Sequence, residues 1–275
     1  MPDYGHDLLF GVILTPPAIG LAVEADRAGL DLVSVPDHPY EPALLDAWTV
    51  LSVIAARTAR VRVLPNVANL PLRPPAMLAR AAASLDVLSG GRVELGLGAG
   101  AYWDRIAAQG GPTRTPGEAV AALGEAIAVI RALWTPGPAY VDGVHHPLAG
   151  AAPGPFPPHD IALWVGAIGP RMLRLIGRAA DGWLPSSTRV PPSRLGAANE
   201  IIDDAATAAG RAPAAIRRLY NVVAPLDGLA DRLAELTLTH GTSAFLLPAD
   251  APHAVRHLAE EVAPRVRELV AAERG

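Results

Sequence analysis

The stretch that decides the fold is residues 63–100, VLPNVANLPLRPPAMLARAAASLDVLSGGRVELGLGAG. An apolar run is followed by a turn rich in Pro and Asn, an Ala-rich helical stretch over residues 75–88, a Ser-Gly-Gly turn and a second apolar run. The second run stops on Gly98-Ala99-Gly100. This order predicts strand, helix and strand, with a glycine-rich loop at the carboxyl end of the second strand. Loops of this kind let backbone N–H groups approach a phosphate.

The same alternation continues along the whole chain. Strands are predicted at residues 8–14, 32–35, 61–67, 93–97, 161–165, 182–184, 216–223 and 243–247. A helix is predicted after each of them, at residues 18–28, 42–58, 75–88, 116–133, 170–180, 192–209, 226–239 and 252–273. Alternating strands and helices favour a parallel sheet with right-handed crossovers. Eight such units at this length predict an α/β fold, a (β/α)8 TIM barrel.

A doubly wound open sheet is the competing architecture, and Gly98-Ala99-Gly100 could then be taken for a dinucleotide-binding motif. That motif, GxGxxG, follows the first strand of its domain and opens a helix directly. Here the glycines follow the fourth predicted strand, and Trp103 occupies the place of the third glycine. The barrel is therefore the better interpretation.

Composition limits the possible partners and compartments. The 275 residues are 51% hydrophobic and 18% charged, which suits one domain over residues 1–275 with a Pro- and Gly-rich excursion at about residues 135–159. The net charge of −4, without a basic cluster, argues against nucleic acid and membrane partners. The sequence has no cysteine, and its start lacks the basic region of a signal peptide, so a cytoplasmic protein is expected. The sequence also has no lysine, which excludes a Schiff-base or general-base lysine.

In a barrel the active groups lie on the loops that follow the strands, so the residues at each strand end are the candidates. After the second strand, Asp37 and His38 place a carboxylate beside an imidazole that can titrate near neutral pH. The same Pro-Asp-His-Pro sequence also suits a simple turn, and position alone does not separate the two interpretations. After the fourth strand, Tyr102 and Trp103 are candidates for a substrate pocket.

The remaining loops are less specific. The fifth strand is followed by Gly166-Ala167-Ile168-Gly169-Pro170, a typical beginning of a helix with free N–H groups. The sixth is followed by residues 185–192, which are expected to help set the substrate pocket. Among them Ser186-Ser187-Thr188 offer hydroxyls for phosphate or ribityl oxygens, and an ordinary polar loop that caps the next helix is the favoured interpretation for each. No metal site is expected, since the histidine pairs of the chain have no carboxylate motif that would complete one.

Two segments resemble the bacterial-luciferase-like family of flavin and deazaflavin oxidoreductases. Residues 63–100 are similar to the family pattern RxPaxxAraaaxLdxlSgGRxxlGlGaG. Residues 161–183, IALWVGAIGPRMLRLIGRAADGW, are similar to iPxwvGaxGprmlrlaaryADGW. The resemblance implies a (β/α)8 barrel that holds a tricyclic flavin-type ring in its mouth.

The resemblance also implies roles for the strand-end residues. Deazaflavin-dependent members carry an Asp-His pair where this chain has Asp37-His38, which implies that His38 handles a proton and that Asp37 tunes it. A cis peptide bond is implied at Asn66-Val67, with Val67 supporting the ring. The cofactor phosphate is implied to lie on two loops, Gly98-Ala99-Gly100 and Gly166-Ala167-Ile168-Gly169-Pro170.

The function expected from this resemblance is hydride transfer between coenzyme F420 and an unidentified small organic substrate, by a homodimer. The alternative is a monooxygenase that uses reduced FMN from a separate reductase, and a third possibility is a non-catalytic flavin-binding paralogue. Deazaflavin sugar-phosphate dehydrogenases of the family have a glutamate where this chain has Ala101, and they use lysine at the sugar phosphate. That particular activity is therefore not expected.

Overall fold

The computed structural model describes residues 3–15, 18–225 and 227–275, so Pro16 and Pro17, which the sequence suggests as the end of the first strand, lie outside the described residues. The strands are β1 (Leu9–Ile13), β2 (Leu32–Val35), β3 (Arg62–Pro65), β4 (Ala68–Asn69), β5 (Leu95–Gly98), β6 (Ala139–Val141), β7 (Leu148–Ala151), β8 (Leu163–Gly166), β9 (Gly182–Trp183), β10 (Arg217–Asn221) and β11 (Thr242–Pro248). The helices are α1 (Ile19–Ala28), α2 (Ala47–Arg57), α3 (Pro75–Ser89), α4 (Trp103–Ala108), α5 (Pro116–Leu133), α6 (Pro170–Ala179), α7 (Leu195–Ala208), α8 (Leu229–His240), α9 (Pro252–His257) and α10 (Ala263–Arg274).

Nine of these strands form one parallel sheet that curls into a nearly closed barrel. Their order is β3-β2-β1-β11-β10-β9-β8-β5-β4. The two outermost strands, β3 and β4, are consecutive pieces of the same run of chain, and Val63 pairs with Val93 across the seam. The ring therefore has eight positions, and the predicted (β/α)8 barrel is confirmed.

The barrel has two apolar layers. Inside it, a small core is formed by Leu9, Leu32, Leu64, Trp164, Leu184, Leu219, Ala244 and Leu246. A larger core lies between the strands and the surrounding helices, where Phe10 stacks on Phe245 with ring centroids 5.8 Å apart. Because side chains fill the interior, a ligand can be accommodated only at the ends of the barrel.

The deciding stretch anchors the end of the barrel where the strands begin. Asp86 of α3 is fully buried; its carboxylate accepts the Val93 N–H and contacts His159 Nδ1 at 2.8 Å. Arg92 donates to the carbonyl oxygens of Ala55, Thr58, Val61 and Ser89. These bonds connect the end of α2 to the starts of β3 and β5, so the Ser-Gly-Gly-Arg turn stabilises the fold.

Several helices and strands begin or end at residues other than those predicted. Helix α2 begins at Ala47 and not at residue 42, because the Asp46 side chain caps it by accepting the Thr49 N–H at 2.9 Å. The predicted strand over residues 61–67 divides into β3 and β4 at the Asn66-Val67 bond, which is cis as the resemblance implied. Helix α4 was not predicted. The helix predicted over residues 226–239 begins at Leu229, and residue 226 lies outside the described residues.

Two predicted segments have clear local causes. Helix α5 covers the predicted residues because Thr115, just before the helix, and Glu118, in its first turn, form a reciprocal capping box. The excursion at residues 135–159 contains the antiparallel hairpin of β6 and β7. The Glu125 carboxylate accepts the N–H groups of Val144, His145 and His146 and holds the hairpin turn against α5.

In the described parts of the chain, every helix is too short or too polar to cross a membrane.

Replacing either of two helical glycines with alanine is expected to change the free energy of unfolding, in opposite directions. At Gly177 of α6 an added Cβ would lie 2.7 Å from the Cβ of Ala205 on α7. We expect Gly177→Ala to lower the free energy of unfolding by about 1–3 kcal/mol through overpacking. At Gly124 of α5 the nearest atom is Leu175 Cδ1 at 3.5 Å, an ordinary contact. Gly124→Ala should therefore raise that free energy by about 0.5–1 kcal/mol. Denaturant unfolding measures both, and equal effects would contradict the packing at Gly177.

Candidate functional site

A cleft of about 530 Å³ lies at the carboxyl ends of the barrel strands. The predicted residues that line it are Asp37, His38, Asn66, Val67, Gly98, Ala99, Gly100, Tyr102, Gly166, Ala167 and Ile168. They come from the loops after β2, β3, β5 and β8, which are distant in sequence. The fold therefore brings most of the predicted site residues together at one place.

Three predicted residues are not part of the lining of this cleft: Trp103, Gly169 and Pro170. The ring of Trp103 packs behind Gly100, where an added Cβ would come within 2.9 Å of it. Gly169 and Pro170 form the beginning of α6, and the space beside Gly169 is open within 4 Å. Trp103 therefore supports the glycine loop from behind, and Gly169 and Pro170 follow the lining residue Ile168 in the chain.

The carboxylate of Asp37 is held by a hydrogen-bond network at the wall of the cleft. Arg73 binds it with two hydrogen bonds, Nε to Oδ2 at 2.6 Å and Nη2 to Oδ1 at 2.7 Å, and the Asn69 N–H donates to Oδ2 at 2.9 Å. Arg73 also contacts Asp46 at 2.6 Å. The Asp37 side chain is only 1% exposed. Asp37 therefore ties the loop after β2 to the segment after β4, and its carboxylate makes no hydrogen bond with the His38 ring.

The hydrogen-bond partner of His38 is Tyr40 and not the adjacent Asp37. Its Nδ1 lies 2.6 Å from the hydroxyl oxygen of Tyr40, and its Nε2 makes no hydrogen bond within the described residues. Burial lowers the pKa of His38, and the negative charges of Asp37 and Glu41 oppose that shift. The imidazole is therefore neutral at neutral pH. The pair faces the cleft with Tyr102 beside it, at ring-centroid distances of 6.0 Å from His38 and 5.8 Å from Tyr40.

The floor of the cleft is built around Val67. An added Cβ at Gly98 would lie 2.7 Å from Val67 Cγ2, and one at Gly166 would lie 3.2 Å from the same atom. Gly96 is similarly close, at 3.1 Å from Val67 Cγ1. These three glycines form a socket without side chains, which we call the Val67 socket. The sequence predicts that Gly98 lets backbone approach a phosphate, and in the structure its missing side chain also makes room for Val67.

The residue beside Val67 is fixed by a reciprocal amide pair. Asn66 donates to Asn221 Oδ1 at 2.8 Å and Asn221 donates back to Asn66 Oδ1 at 3.0 Å. The Asn66 amide also donates to Ser34 Oγ at 3.2 Å. Strands β2, β3 and β10 are thereby linked across the top of the barrel, and the cleft floor is held on both sides.

Several residues of this site were not singled out from the sequence. Arg189, within the segment 185–192 that was expected near the substrate, lines the cleft, and its Nη2 lies 3.5 Å from the Tyr102 hydroxyl across the mouth. Ser186 and Thr188, for which an ordinary loop was the favoured interpretation, line the cleft as well. A usable signal was available, because Arg189 is a basic residue in the loop directly after a barrel strand. Tyr40 and Asn69 also belong to the lining, and nothing in their local sequence indicates it.

Comparison with known proteins identifies the family of this chain. The family model described as luciferase-like monooxygenase matches residues 16–273. The chain belongs to this family. It is 36% identical over 220 residues to a phthiodiolone/phenolphthiodiolone dimycocerosates ketoreductase of Mycobacterium kansasii, a match that covers 78% of this chain and 55% of that protein. It is 35% identical over 175 residues to an F420-dependent glucose-6-phosphate dehydrogenase of Amycolatopsis mediterranei, covering 60% of this chain and 52% of the relative. The matched region thus spans about half of the length of these two relatives.

Solved structures agree on the fold. An F420-dependent secondary alcohol dehydrogenase, in complex with an F420-acetone adduct, superposes with a TM-score of 0.82 at 20% identity, covering 95% of this chain and 100% of that chain. The EDTA monooxygenase of Chelativorans sp. BNC1 superposes with a TM-score of 0.78 at 15% identity, covering 96% and 94%. The predicted luciferase-like barrel is confirmed.

The pairing of Arg73 with Asp37 can be tested by its removal. Arg73→Gln leaves a carboxylate buried without its cation, and we expect the free energy of unfolding to fall by about 3–5 kcal/mol. Arg265→Gln is the control, because Arg265 pairs with Glu268 on the surface, with side chains 56% and 69% exposed; it should change that free energy by less than about 1 kcal/mol. Denaturant unfolding followed by circular dichroism compares the variants. A loss at Arg73 no larger than at Arg265 would show that the network does not hold the loop.

Proposed function

We propose that this protein is an F420-dependent oxidoreductase that moves a hydride between the coenzyme and a small organic substrate. The observation that carries the proposal is His38, an imidazole at the end of β2 whose Nε2 is free to face a cleft large enough for a ring system. The curated relatives that name F420 in their function support the choice of coenzyme.

The lining of the cleft suits a flat ring with a polar tail. Val67 and Leu184 give it an apolar floor, and the Val67 socket keeps neighbouring side chains away from that floor. Backbone of residues 98–100 and 166–168 and the hydroxyls of Ser186 and Thr188 supply polar groups around it. When bound, F420 supplies the hydride chemistry itself, and the protein supplies binding and orientation.

Each residue then has a role that follows from its position. His38 exchanges a proton with the substrate at Nε2, and Asp37 holds the His38 loop through Arg73. Val67, with Asn66 beside it, supports the ring from below. We assign the phosphate to the loops Gly98–Gly100 and Gly166–Pro170, in which Ala99, Ala167, Ile168 and Gly169 contribute backbone. Tyr102 and Arg189, at the mouth, border the place where the substrate enters, with Trp103 behind them.

The oligomeric state, the location and the need for a separate reductase are further parts of the proposal. A homodimer and a cytoplasmic location stay predictions, as does a separate reductase in the case of an FMN-dependent reaction. Light scattering of the purified protein measures the first of these directly.

The choice of coenzyme is tested by titration. We expect F420 to bind and FMN to bind more weakly, because the relatives with curated functions over the matched region include F420-dependent dehydrogenases. Absorbance and fluorescence titrations of the purified protein with each compound give both dissociation constants. Tight FMN binding without measurable F420 binding would overturn the proposal in favour of a reduced-FMN monooxygenase.

The role of His38 is tested by His38→Ala. If His38 handles the proton, the variant should lose roughly 10²–10⁴-fold in turnover, the usual contribution of one acid–base group. Its melting temperature and F420 affinity should remain close to those of the wild type. His253→Ala is the control, since His253 is exposed on α9 outside the barrel. Steady-state rates at saturating F420 compare the two, and a fully active His38→Ala enzyme would remove the assignment.

A further inference from the structure

The loop after β2 carries a second proton-bearing side chain behind His38. Tyr40 is two residues along the chain, and its hydroxyl oxygen is 2.6 Å from His38 Nδ1, a short hydrogen bond. The two rings are 5.4 Å apart between centroids and tilted by 57°. Because Nδ1 is occupied in this way, Nε2 is the only ring nitrogen of His38 that can meet a ligand.

The direction of this hydrogen bond follows from the protonation states of the two groups. Burial raises the pKa of Tyr40 to about 12, so the phenol keeps its proton at neutral pH. Within the described residues the hydroxyl of Tyr40 has His38 Nδ1 as its one hydrogen-bond partner, so its proton has no other acceptor there. A phenol is a strong donor and a neutral imidazole nitrogen a good acceptor, so the Tyr40 proton is directed at His38.

A neutral imidazole has one nitrogen that donates and one that accepts. Since burial lowers the pKa of His38, the neutral form is the resting form. A tyrosine hydroxyl that donates to Nδ1 selects the tautomer with its proton on Nε2. The imidazole then presents an N–H to the cleft, which is the group needed to bind a carbonyl or alkoxide oxygen of a substrate.

We infer that Tyr40 is a positioning residue that fixes the proton of neutral His38 on Nε2 and gives its own proton to Nδ1 as the Nε2 proton passes to the substrate. The second half of this inference rests on the proposed function. When a hydride adds to a carbonyl carbon, the C=O π bond breaks, the substrate is reduced and the hydride donor is oxidised. The developing alkoxide takes the Nε2 proton while Nδ1 takes the Tyr40 proton, which leaves Nε2 bare and Tyr40 as the phenolate. Nε2 then takes a proton from solvent and Nδ1 returns its proton to the phenolate, so His38 and Tyr40 are back in their starting forms.

The first test needs neither coenzyme nor substrate. Nitrogen-15 NMR of histidine-labelled protein at about pH 8, above the ordinary histidine pKa, reports which ring nitrogen carries the proton, and His38→Ala assigns the His38 signals. We expect the wild type to show His38 protonated on Nε2 alone, and Tyr40→Phe to show a mixture of the two tautomers. Tyr102→Phe is the matched control for this signal, because the Tyr102 ring lies 6.0 Å from His38 while its hydroxyl contacts Arg189. His38 protonated on Nδ1 in the wild type would overturn the inference.

The second test addresses the proton that Tyr40 donates. With reduced F420 and acetone as the carbonyl probe, both saturating, Tyr40→Phe should lower kcat roughly 10²-fold, at the lower end of what one acid–base group contributes, with KM and melting temperature near the wild-type values. The solvent-isotope dependence of kcat in mixed H₂O and D₂O should indicate two protons in flight for the wild type and one for the variant. An unchanged kcat or an unchanged isotope dependence would overturn the relay. The expected tautomer together with no F420-linked activity would overturn the proposed function while supporting the role of Tyr40 in orienting His38.

Discussion

The cleft depends on the close packing of one apolar side chain, Val67, against backbone that carries no side chains. Strands β5 and β8 place Gly96, Gly98 and Gly166 around it, and a methyl group at any of the three would press on the valine. Protein interiors are packed too densely to absorb such an addition without movement. The valine would then rise into the cleft or the strands would separate. The flatness of the cleft floor is therefore a property of the strands beneath it.

The second support of the site is electrostatic. Asp37 would be costly to bury alone, and it is tolerated because Arg73 and a backbone N–H satisfy its oxygens. Arg73 follows β4 and Asp37 follows β2, so this pairing joins two neighbouring loops at the cleft wall. Because Asp37 is adjacent to His38 in the chain, that connection also fixes the position of His38. Its chemistry is set by its other neighbour, Tyr40, and the adjacent Asp37 affects it only through charge at a distance.

The sequence predicts the barrel and most of the cleft, because strand ends of a parallel barrel converge and can be found from hydrophobic runs and glycine turns. It does not predict the second role of the glycines, which is to make room for Val67. Gly98 indicates a phosphate loop in sequence, and its contact with Val67 exists only once β3 and β5 are adjacent. The partners of Asp37 and His38 were missed for the same reason, since Arg73 is 36 residues from Asp37. Tyr40 is close in sequence, but only the turn at Pro39 folds its hydroxyl back onto the imidazole.

Arg92 and Asp86 lie in the same deciding stretch as the cleft residues, but at the opposite end of the barrel, where they gather the ends of α2 and α3 around the starts of two strands. The segment by which the family is recognised thus combines two separate demands, one on assembly of the barrel and one on the ligand. A substitution at Asp86 or Arg92 would disturb the assembly of the barrel without touching the cleft, because their contacts lie at the other end of the strands. The cleft itself varies independently of this anchor, and its mouth carries Tyr102 and Arg189.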